Sequence, residues 1–154
     1  MIRRFAGVFV PTLVLTLFLG FASTIAGAQG QHPVYLHALS DLRAARAHLE
    51  RPDHGELGRE EKDAIHEIDE AINEVRNAAI DDHKNVNDHL PVDTNLDWPG
   101  RLHQAVMLLD KAHADVARDE DNKFADGLQQ RALKHIDKAK RDVFEAIRLA
   151  AAHK

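Results

Sequence analysis

Hydrophobic residues recur at spacings of three and four along most of the chain after residue 33, a pattern typical of amphipathic helices. The clearest stripe belongs to the second helix and consists of Ile65, Ile68, Ile72, Val75 and Ala79. Breaks in the pattern divide the chain into four predicted helices, at about 33–51, 58–80, 99–118 and, after a short acidic turn at 119–122, up to about 153. No segment alternates with a period of two, so we expect no sheet.

The pattern of the first two helices is repeated in the last two. Residues 64–71 recur 68 positions later as residues 132–139, and residues 42–51 recur 67 positions later as residues 109–118. Two matches in the same order and at nearly one offset indicate a duplicated helical hairpin. One hairpin cannot bury both of its apolar stripes, so two copies are expected to close on each other. The sequence thus predicts an all-α fold, an antiparallel up-down-up-down four-helix bundle built from two duplicated helical hairpins.

The two hairpins, at about 33–80 and 99–153, are joined by a connection at 81–98 that is rich in Asp and His. A connection of this length is unusual in a compact domain and is expected to be functional or mobile. Its apolar residues are expected to hold it against one end of the bundle; they are Leu90, Val92, Leu96 and Trp98. An exchange of hairpins between two chains is an alternative to the monomer, so we expect either a monomer or a dimer.

The first 28 residues have the features of a cleavable signal peptide. Arg3 and Arg4 give a positive start, an apolar stretch follows, and the motif Ala-Gly-Ala at 26–28 is a typical cleavage site. The apolar stretch is short for a membrane crossing, which takes about 20 residues. Cleavage before Gln29 is therefore expected. It leaves residues 29–154 as one domain without a membrane span, in the periplasm of a bacterium or secreted from it.

Two of the chain's 20 basic residues lie in that leader, so 18 basic residues face 25 acidic residues in the mature part. The resulting charge of −7, with His neutral, argues against nucleic acid and anionic membranes as partners. The chain has no Cys, which excludes disulfides, iron–sulfur clusters, c-type haem attachment and thiol nucleophiles. All 11 His lie in the mature part, so their protonation makes the surface charge sensitive to acid.

Catalytic motifs are absent from the sequence. There is no HExxH motif, no glycine-rich phosphate loop and no serine-histidine-aspartate pattern. The nearest approach to a di-iron bundle is Asp63-x-x-His66 with Asp110-x-x-His113. These motifs have Asp where such sites use Glu, and His66 is expected to face water. We therefore expect a protein that is not an enzyme and needs no cofactor.

Surface metal binding is the most specific chemistry that the sequence offers. On the first helix, His37 and Asp41 are one turn apart and share a face with His48, opposite the apolar stripe. Imidazole and carboxylate ligands suit divalent metals such as copper, nickel or zinc. The candidate metal ligands are His37, Asp41, His83, His89, His103 and Asp110. At each of these positions an ordinary solvent-exposed polar residue is the alternative interpretation.

The repeated segments 64–71 and 132–139 read Ala-Ile-His-Glu-Ile-Asp-Glu-Ala and Ala-Leu-Lys-His-Ile-Asp-Lys-Ala, combining Ala and aliphatic residues with interspersed His. In this respect the chain resembles the small His-bearing metal-binding proteins of bacterial periplasms. That resemblance implies a four-helix bundle that binds divalent metals, copper among them, through surface His.

From the residues themselves we expect an exported, non-enzymatic binding or structural protein whose partner is an unknown protein or small ligand. Divalent-metal binding or buffering through surface His and Asp is the alternative function. Sensing of pH by the His residues is a third.

Overall fold

The computed structural model describes residues 34–51, 57–81, 86, 92–118 and 123–152. Within these residues the chain forms four α-helices and no strand: α1 Val34–Glu50, α2 Arg59–Asp81, α3 Trp98–Val116 and α4 Lys123–Ala152. The prediction of an all-α fold with four helices is therefore confirmed. No helix in this part of the chain is both long and apolar enough to cross a membrane. The expected signal peptide at 1–28 lies outside the described residues.

Each helix buries an apolar stripe, and corresponding positions of the two halves of the chain are buried alike. Leu42 and Leu109 are fully buried in α1 and α3, and Ile68 and Ile136 are fully buried in α2 and α4. Many of the other buried positions are alanines, which let helix backbones approach closely. The core is therefore built from small and aliphatic side chains.

Phe144 of α4 is a large apolar residue that lies outside the core, because 54% of its surface is exposed. Its neighbour Val143 is fully buried, and two successive helical residues point about 100° apart. Val143 therefore occupies the core-facing position, and Phe144 does not.

Each helix packs against two others. α1 contacts α2 and α3, α4 contacts the same two helices, and the larger seams lie between α1 and α3 and between α2 and α4. α1 is therefore diagonal to α4, and α2 is diagonal to α3, in an arrangement consistent with a four-helix bundle.

The direction of α3 differs from the alternating order expected from the sequence. Trp98, the first residue of α3, donates from Nε1 to Oε1 of Glu61 in the first turn of α2, at 2.8 Å. Arg101, in the first turn of α3, donates to the carbonyls of His48 and Arg51 at the end of α1. α3 therefore starts at the end of the bundle where α2 starts, and the predicted up-down-up-down order is wrong at the step from α2 to α3.

The length of the connection between α2 and α3 explains this order. α2 has 23 residues and is therefore about 35 Å long at 1.5 Å per residue. Residues 82–97 can span up to about 50 Å at 3.3 Å per residue, which is enough to return along the whole bundle. A short turn would have forced α3 to run opposite to α2.

Two arginines of α1 hold the returning connection. Nη2 of Arg43 donates to the carbonyl of Val86 at 2.7 Å, and Nη1 of Arg51 donates to the carbonyl of Thr94 at 2.6 Å. Val86 is buried, at 5% exposure.

The apolar residues expected to pin the connection differ in what they contribute. Trp98 is partly buried and packs against the core, Val92 and Leu96 are 37% and 44% exposed, and Leu90 lies outside the described residues. Hydrogen bonds from guanidinium groups to backbone carbonyls therefore hold the segment at 92–97 more than apolar burial does.

The start of α3 is fixed by a helix cap. Oδ1 of Asp97 accepts a hydrogen bond from the backbone N–H of Gly100 at 3.0 Å, the usual arrangement of an N-cap aspartate. Pro99 occupies the first turn, where its missing N–H has no cost. A Cβ at residue 100 would lie 2.5 Å from Oδ1 of Asp97, so the cap requires glycine there.

Candidate functional site between α2 and α4

A polar cleft of about 240 Å³ lies in the seam between α2 and α4. It is lined by Asp63, His66 and Glu67 from α2 and by Lys138, Arg141 and Asp142 from α4. The two groups of residues face each other because α2 and α4 run antiparallel, with Glu74 near Arg131 and Glu67 near Lys138. Every lining residue is charged or titratable, so the cleft suits a polar ligand.

Within the cleft, Glu67 of α2 contacts two side chains of α4. Oε2 of Glu67 lies 2.6 Å from Nδ1 of His135, and Oε1 accepts from Nζ of Lys138 at 3.1 Å. Burial alone would raise the pKa of Glu67, but the hydrogen bonds from His135 and Lys138 outweigh it and lower that pKa. Glu67 is therefore a carboxylate whose charge is already matched by its neighbours.

Asp142, also in the cleft, is in the opposite electrostatic situation. Its partial burial and the nearby carboxylates of Asp63 and Glu67 raise its pKa, and Arg141 and Lys138 offset this only in part. The described residues contain no ion pair to Asp142, whereas Asp63 has only a 3.5 Å contact with Arg59. The cleft therefore carries a local excess of negative charge between Asp63 and Asp142.

This charge distribution favours a positively charged ligand. A cation placed between two carboxylates removes their repulsion and favours the ionised form of Asp142. Among the described residues, no group of three or more His, Asp or Glu side chains is arranged to hold a metal ion. The cleft as it stands is better suited to an ammonium group, which donates up to three hydrogen bonds to carboxylates and needs no fixed coordination geometry.

The predicted metal ligands His37 and Asp41 are both on α1. His37 is exposed and close enough to Asp41 to lower its pKa by charge, but burial and the nearby Asp115 raise that pKa, and the overall shift is upward. Lys111 on α3 also acts on Asp41 and partly neutralises it. The pair is thus in one place, as expected, but Asp41 already has a cationic neighbour.

The predicted ligands of α3 are engaged elsewhere. Nδ1 of His103 lies 2.7 Å from the carbonyl of Pro99, and Oδ1 of Asp110 forms an ion pair with Nζ of Lys140 at 2.5 Å. His103 and Asp110 therefore take part in two separate contacts of α3. His83 and His89, the candidates in the connection, lie outside the described residues, and metal binding through any of these residues stays a prediction.

His48 lies where the sequence analysis did not expect it. It was placed on the face of α1 opposite the apolar stripe, together with His37 and Asp41, but it is buried, with 4% of its surface exposed. The expectation was wrong because His48 follows the fully buried Ala45 by three residues, and the start of α3 covers that side of the helix. His48 therefore cannot join a surface metal site with Asp41.

Neither Arg101 nor the residues of α4 that line the cleft were predicted from the sequence. Among the residues that the structure describes, Arg101 is the largest fully buried side chain, at 1% exposure, although arginine is rarely buried. On the α2 side, the spacing Asp63-x-x-His66 was a usable signal, because both residues line the cleft. Its partners on α4 were not predictable, since the register between two helices does not follow from the spacing within one.

Comparisons with protein-family models, with curated proteins and with solved structures gave no match.

Proposed function

We propose that this protein is an exported, non-enzymatic binding protein that holds a small organic cation in the cleft between α2 and α4. The observation that carries this proposal is the lining of the cleft, where Asp142 of α4 lies with Asp63 and Glu67 of α2 and has no ion pair among the described residues. A primary ammonium group on a short aliphatic chain fits a space of about 240 Å³ and satisfies these carboxylates. Lys138 and Arg141 complete the lining of the cleft on the α4 side.

We also propose that the two hairpins arose by duplication and are related by an approximate two-fold axis across the helices. The flank contacts support this relation. Nε of Arg46 on α1 donates to Oδ1 of Asp69 on α2 at 2.7 Å, and Nε2 of His113 on α3 lies 3.5 Å from Oδ1 of Asp137 on α4. Arg46 and His113 are 67 residues apart, and Asp69 and Asp137 are 68 residues apart, the same offsets as in the sequence repeat.

The two-fold relation between the hairpins supports the inference that the cleft lacks a positive charge. Arg131 of α4 donates to both carboxylate oxygens of Glu74 of α2, at 2.7 and 2.9 Å. An offset of 68 residues relates Glu74 to Asp142 and Arg131 to Asp63. One half of the seam thus holds an arginine–glutamate pair where the other half holds two aspartates, and an external cation takes the place of the guanidinium.

Divalent-metal binding is the second candidate function. It is favoured by His66, an imidazole that lines the same cleft as three carboxylates. Binding a metal there requires these donors to move closer together, because their present arrangement holds no metal site among the described residues. An amine needs no such movement.

Titration calorimetry on the chain from Gln29 to Lys154 tests both candidates, with 1,4-diaminobutane as the amine and Cu²⁺, Ni²⁺ and Zn²⁺ as the metals. We expect the diamine to bind with a Kd below about 1 mM, which corresponds to a binding free energy of about 4 kcal/mol in favour of the complex. The double variant Asp63→Asn with Asp142→Asn should weaken this binding at least about tenfold, which corresponds to about 1.4 kcal/mol.

The matched control is the double variant Glu50→Gln with Asp126→Asn, which removes two exposed carboxylates outside the cleft. It should bind the diamine as the unchanged protein does. Equal loss in both double variants would show non-specific attraction to an acidic protein and would reject the cleft. Metal binding that is lost in His66→Gln supports the metal function instead, whereas loss in His37→Gln places the metal on α1.

Export is tested separately by cell fractionation of the full chain in a bacterial host. We expect the protein in the periplasmic fraction or the medium, with Gln29 as the first residue by mass spectrometry. A cytoplasmic protein that still carries Arg3 and Arg4 would contradict this part of the proposal.

A further inference from the structure

The corner where α1 ends and α3 begins contains a buried imidazole beside a buried guanidinium. His48 is 4% exposed and Arg101 is 1% exposed. Nδ1 of His48 is buried and has no hydrogen-bond partner. A buried polar atom without a hydrogen-bond partner destabilises the fold, so Nδ1 of His48 is a candidate for a functional role.

Arg101 connects three segments of the chain at this corner. Its Nε donates to the carbonyl of His48 at 3.1 Å, its Nη1 to the carbonyl of Leu96 at 3.2 Å, and its Nη2 to the carbonyl of Arg51 at 3.3 Å. The end of α1 and the connection before α3 are therefore both attached to one side chain of α3. Any charge that appears next to this guanidinium acts on all three attachments.

The charged groups around His48 come from every neighbouring segment. Arg101 on α3 disfavours a second positive charge, and Asp93 in the connection favours one. Within α1, Arg51 follows less than one turn later and donates to the carbonyl of Thr94. On α2, Glu61 is bonded to Nε1 of Trp98 and to the backbone N–H of Gly58.

The balance of these effects keeps His48 neutral. Burial first, and then the charge of Arg101, lower its pKa, and Asp93 opposes them only in part. An unfolded chain binds a proton at His near pH 6.5, so acid below this value favours states in which His48 reaches water. Above it both states are neutral and the corner is at its most stable.

We propose that protonation of His48 acts as an acid-triggered release, which frees the first turn of α3 and the segment 92–97 from the end of α1 while α2 and α4 stay paired. The segment is suited to such local opening, because Val92 and Leu96 are 37% and 44% exposed and contribute little apolar burial. Opening lets the imidazolium reach water and separates it from Arg101.

Trp98 provides a direct reading of this event, because it is the chain's single Trp and lies in the corner itself. Its fluorescence and the amide hydrogen exchange of residues 100–104 are measured between pH 7.5 and 5.0 on the mature chain. After correction for intrinsic exchange, we expect these amides to exchange about tenfold faster at pH 5.0 than at pH 7.5, because acid favours the open state in which His48 reaches water. Amides of residues 64–72 in α2 should not change by this factor.

Two variants identify the responsible group. His48→Gln should remove the acid-dependent change of both signals, whereas the exposed His66→Gln should leave it intact. Asp93→Asn should move the midpoint to lower pH, because Asp93 favours the protonated imidazole. A transition that persists in His48→Gln, or that is absent from the unchanged protein, overturns the proposal.

A measurement on the unchanged protein guards against a variant that fails to fold. Titration of the His48 ring signals by NMR should show protonation only below pH 6.5, together with the change in Trp98. Protonation of His48 at or above pH 6.5, or protonation without any change at Trp98, also overturns the proposal.

Discussion

Nε1 of Trp98 donates a hydrogen bond to Oε1 of Glu61 across 2.8 Å, and Glu61 itself is only 2% exposed. Oε2 of Glu61 accepts from the backbone N–H of Gly58 at 2.9 Å, which caps the start of α2. One carboxylate thus joins the first turns of two helices that are 37 residues apart in the chain. This contact sets the direction of α3 relative to α2.

Replacing Arg101 by Met should destabilise the protein by about 3 kcal/mol, because three backbone carbonyls lose a charged donor in a buried corner. Urea unfolding followed by circular dichroism measures the change in the free energy of unfolding. The exposed Arg76→Met on α2 is the control and should stay within about 0.5 kcal/mol. A loss below about 1 kcal/mol in Arg101→Met would mean that water replaces the guanidinium.

At the cap of α3, we expect the effects of substituting Asp97 and Gly100 on stability not to be additive. Asp97→Ala should cost about 1 kcal/mol through loss of the cap. Gly100→Ala should also destabilise, since its Cβ would displace Oδ1 of Asp97. In the Asp97→Ala background the same Gly100→Ala change should become neutral or stabilising, by up to about 1 kcal/mol, because alanine favours helix and the clash is gone.

Thermal unfolding of the two single variants and the double variant measures this coupling between Asp97 and Gly100. Gln104→Ala, further along α3, is a control outside the cap. Strictly additive losses in the double variant would show that the clash does not involve Asp97.

The two related flank contacts should differ in strength. Asp69→Asn should cost up to about 1 kcal/mol at pH 8, because Arg46 is positively charged there and hydrogen-bonded to Asp69. Asp137→Asn should cost less at this pH, since Oδ1 of Asp137 lies 3.5 Å from Nε2 of His113, and an imidazole contributes to an ion pair only when it is protonated. Urea unfolding at pH 8 measures both losses, and equal losses would contradict this assignment.

Removing the charge of Asp142 should stabilise the protein at neutral pH. Its pKa is raised in the folded state, so the ionised form is disfavoured there relative to the unfolded chain. Asp142→Asn should therefore gain up to about 1 kcal/mol at pH 7, the scale of partly exposed charge interactions. The gain should vanish as the pH falls to the usual pKa of Asp and below, where both states bind the proton.

Unfolding of Asp142→Asn by urea at pH 7 and pH 3.5 provides the test. Glu70→Gln, in the middle of α2 and without an ion pair among the described residues, is the control and should change stability little at either pH. A loss of stability at pH 7 in Asp142→Asn would show that its carboxylate has a favourable partner, and would remove the main support for a cation in the cleft.

The helices and their core were predictable because burial follows the helical period. Ile68 and Ile136 occupy equivalent places in the repeat and are both fully buried. The direction of α3 was not predictable in the same way, since the same stripes are buried whether or not α3 runs opposite to α2. The return of the connection along α1 depends on hydrogen bonds from Arg43 and Arg51 to backbone carbonyls, which have no periodic signature.

The candidate site was predictable only on one helix. The spacing of Asp63 and His66 marked a shared face of α2, but their meeting with Asp142 depends on the register between α2 and α4. His48 shows the same limit, because its burial is produced by residues that are distant in the chain. Contacts within one helix follow from spacing, whereas contacts between helices require the fold.

The pairing of each helix with the helix two places along the chain has a consequence for how quickly the protein folds. Contacts such as Arg101 with His48 and Lys138 with Glu67 join residues 53 and 71 positions apart. Bundles whose neighbours are adjacent in sequence have low contact order and fold within microseconds to milliseconds. Here both large seams join helices of different hairpins, so their contacts are distant in the chain. We therefore expect refolding to be slower than that of a simple helical bundle of equal length.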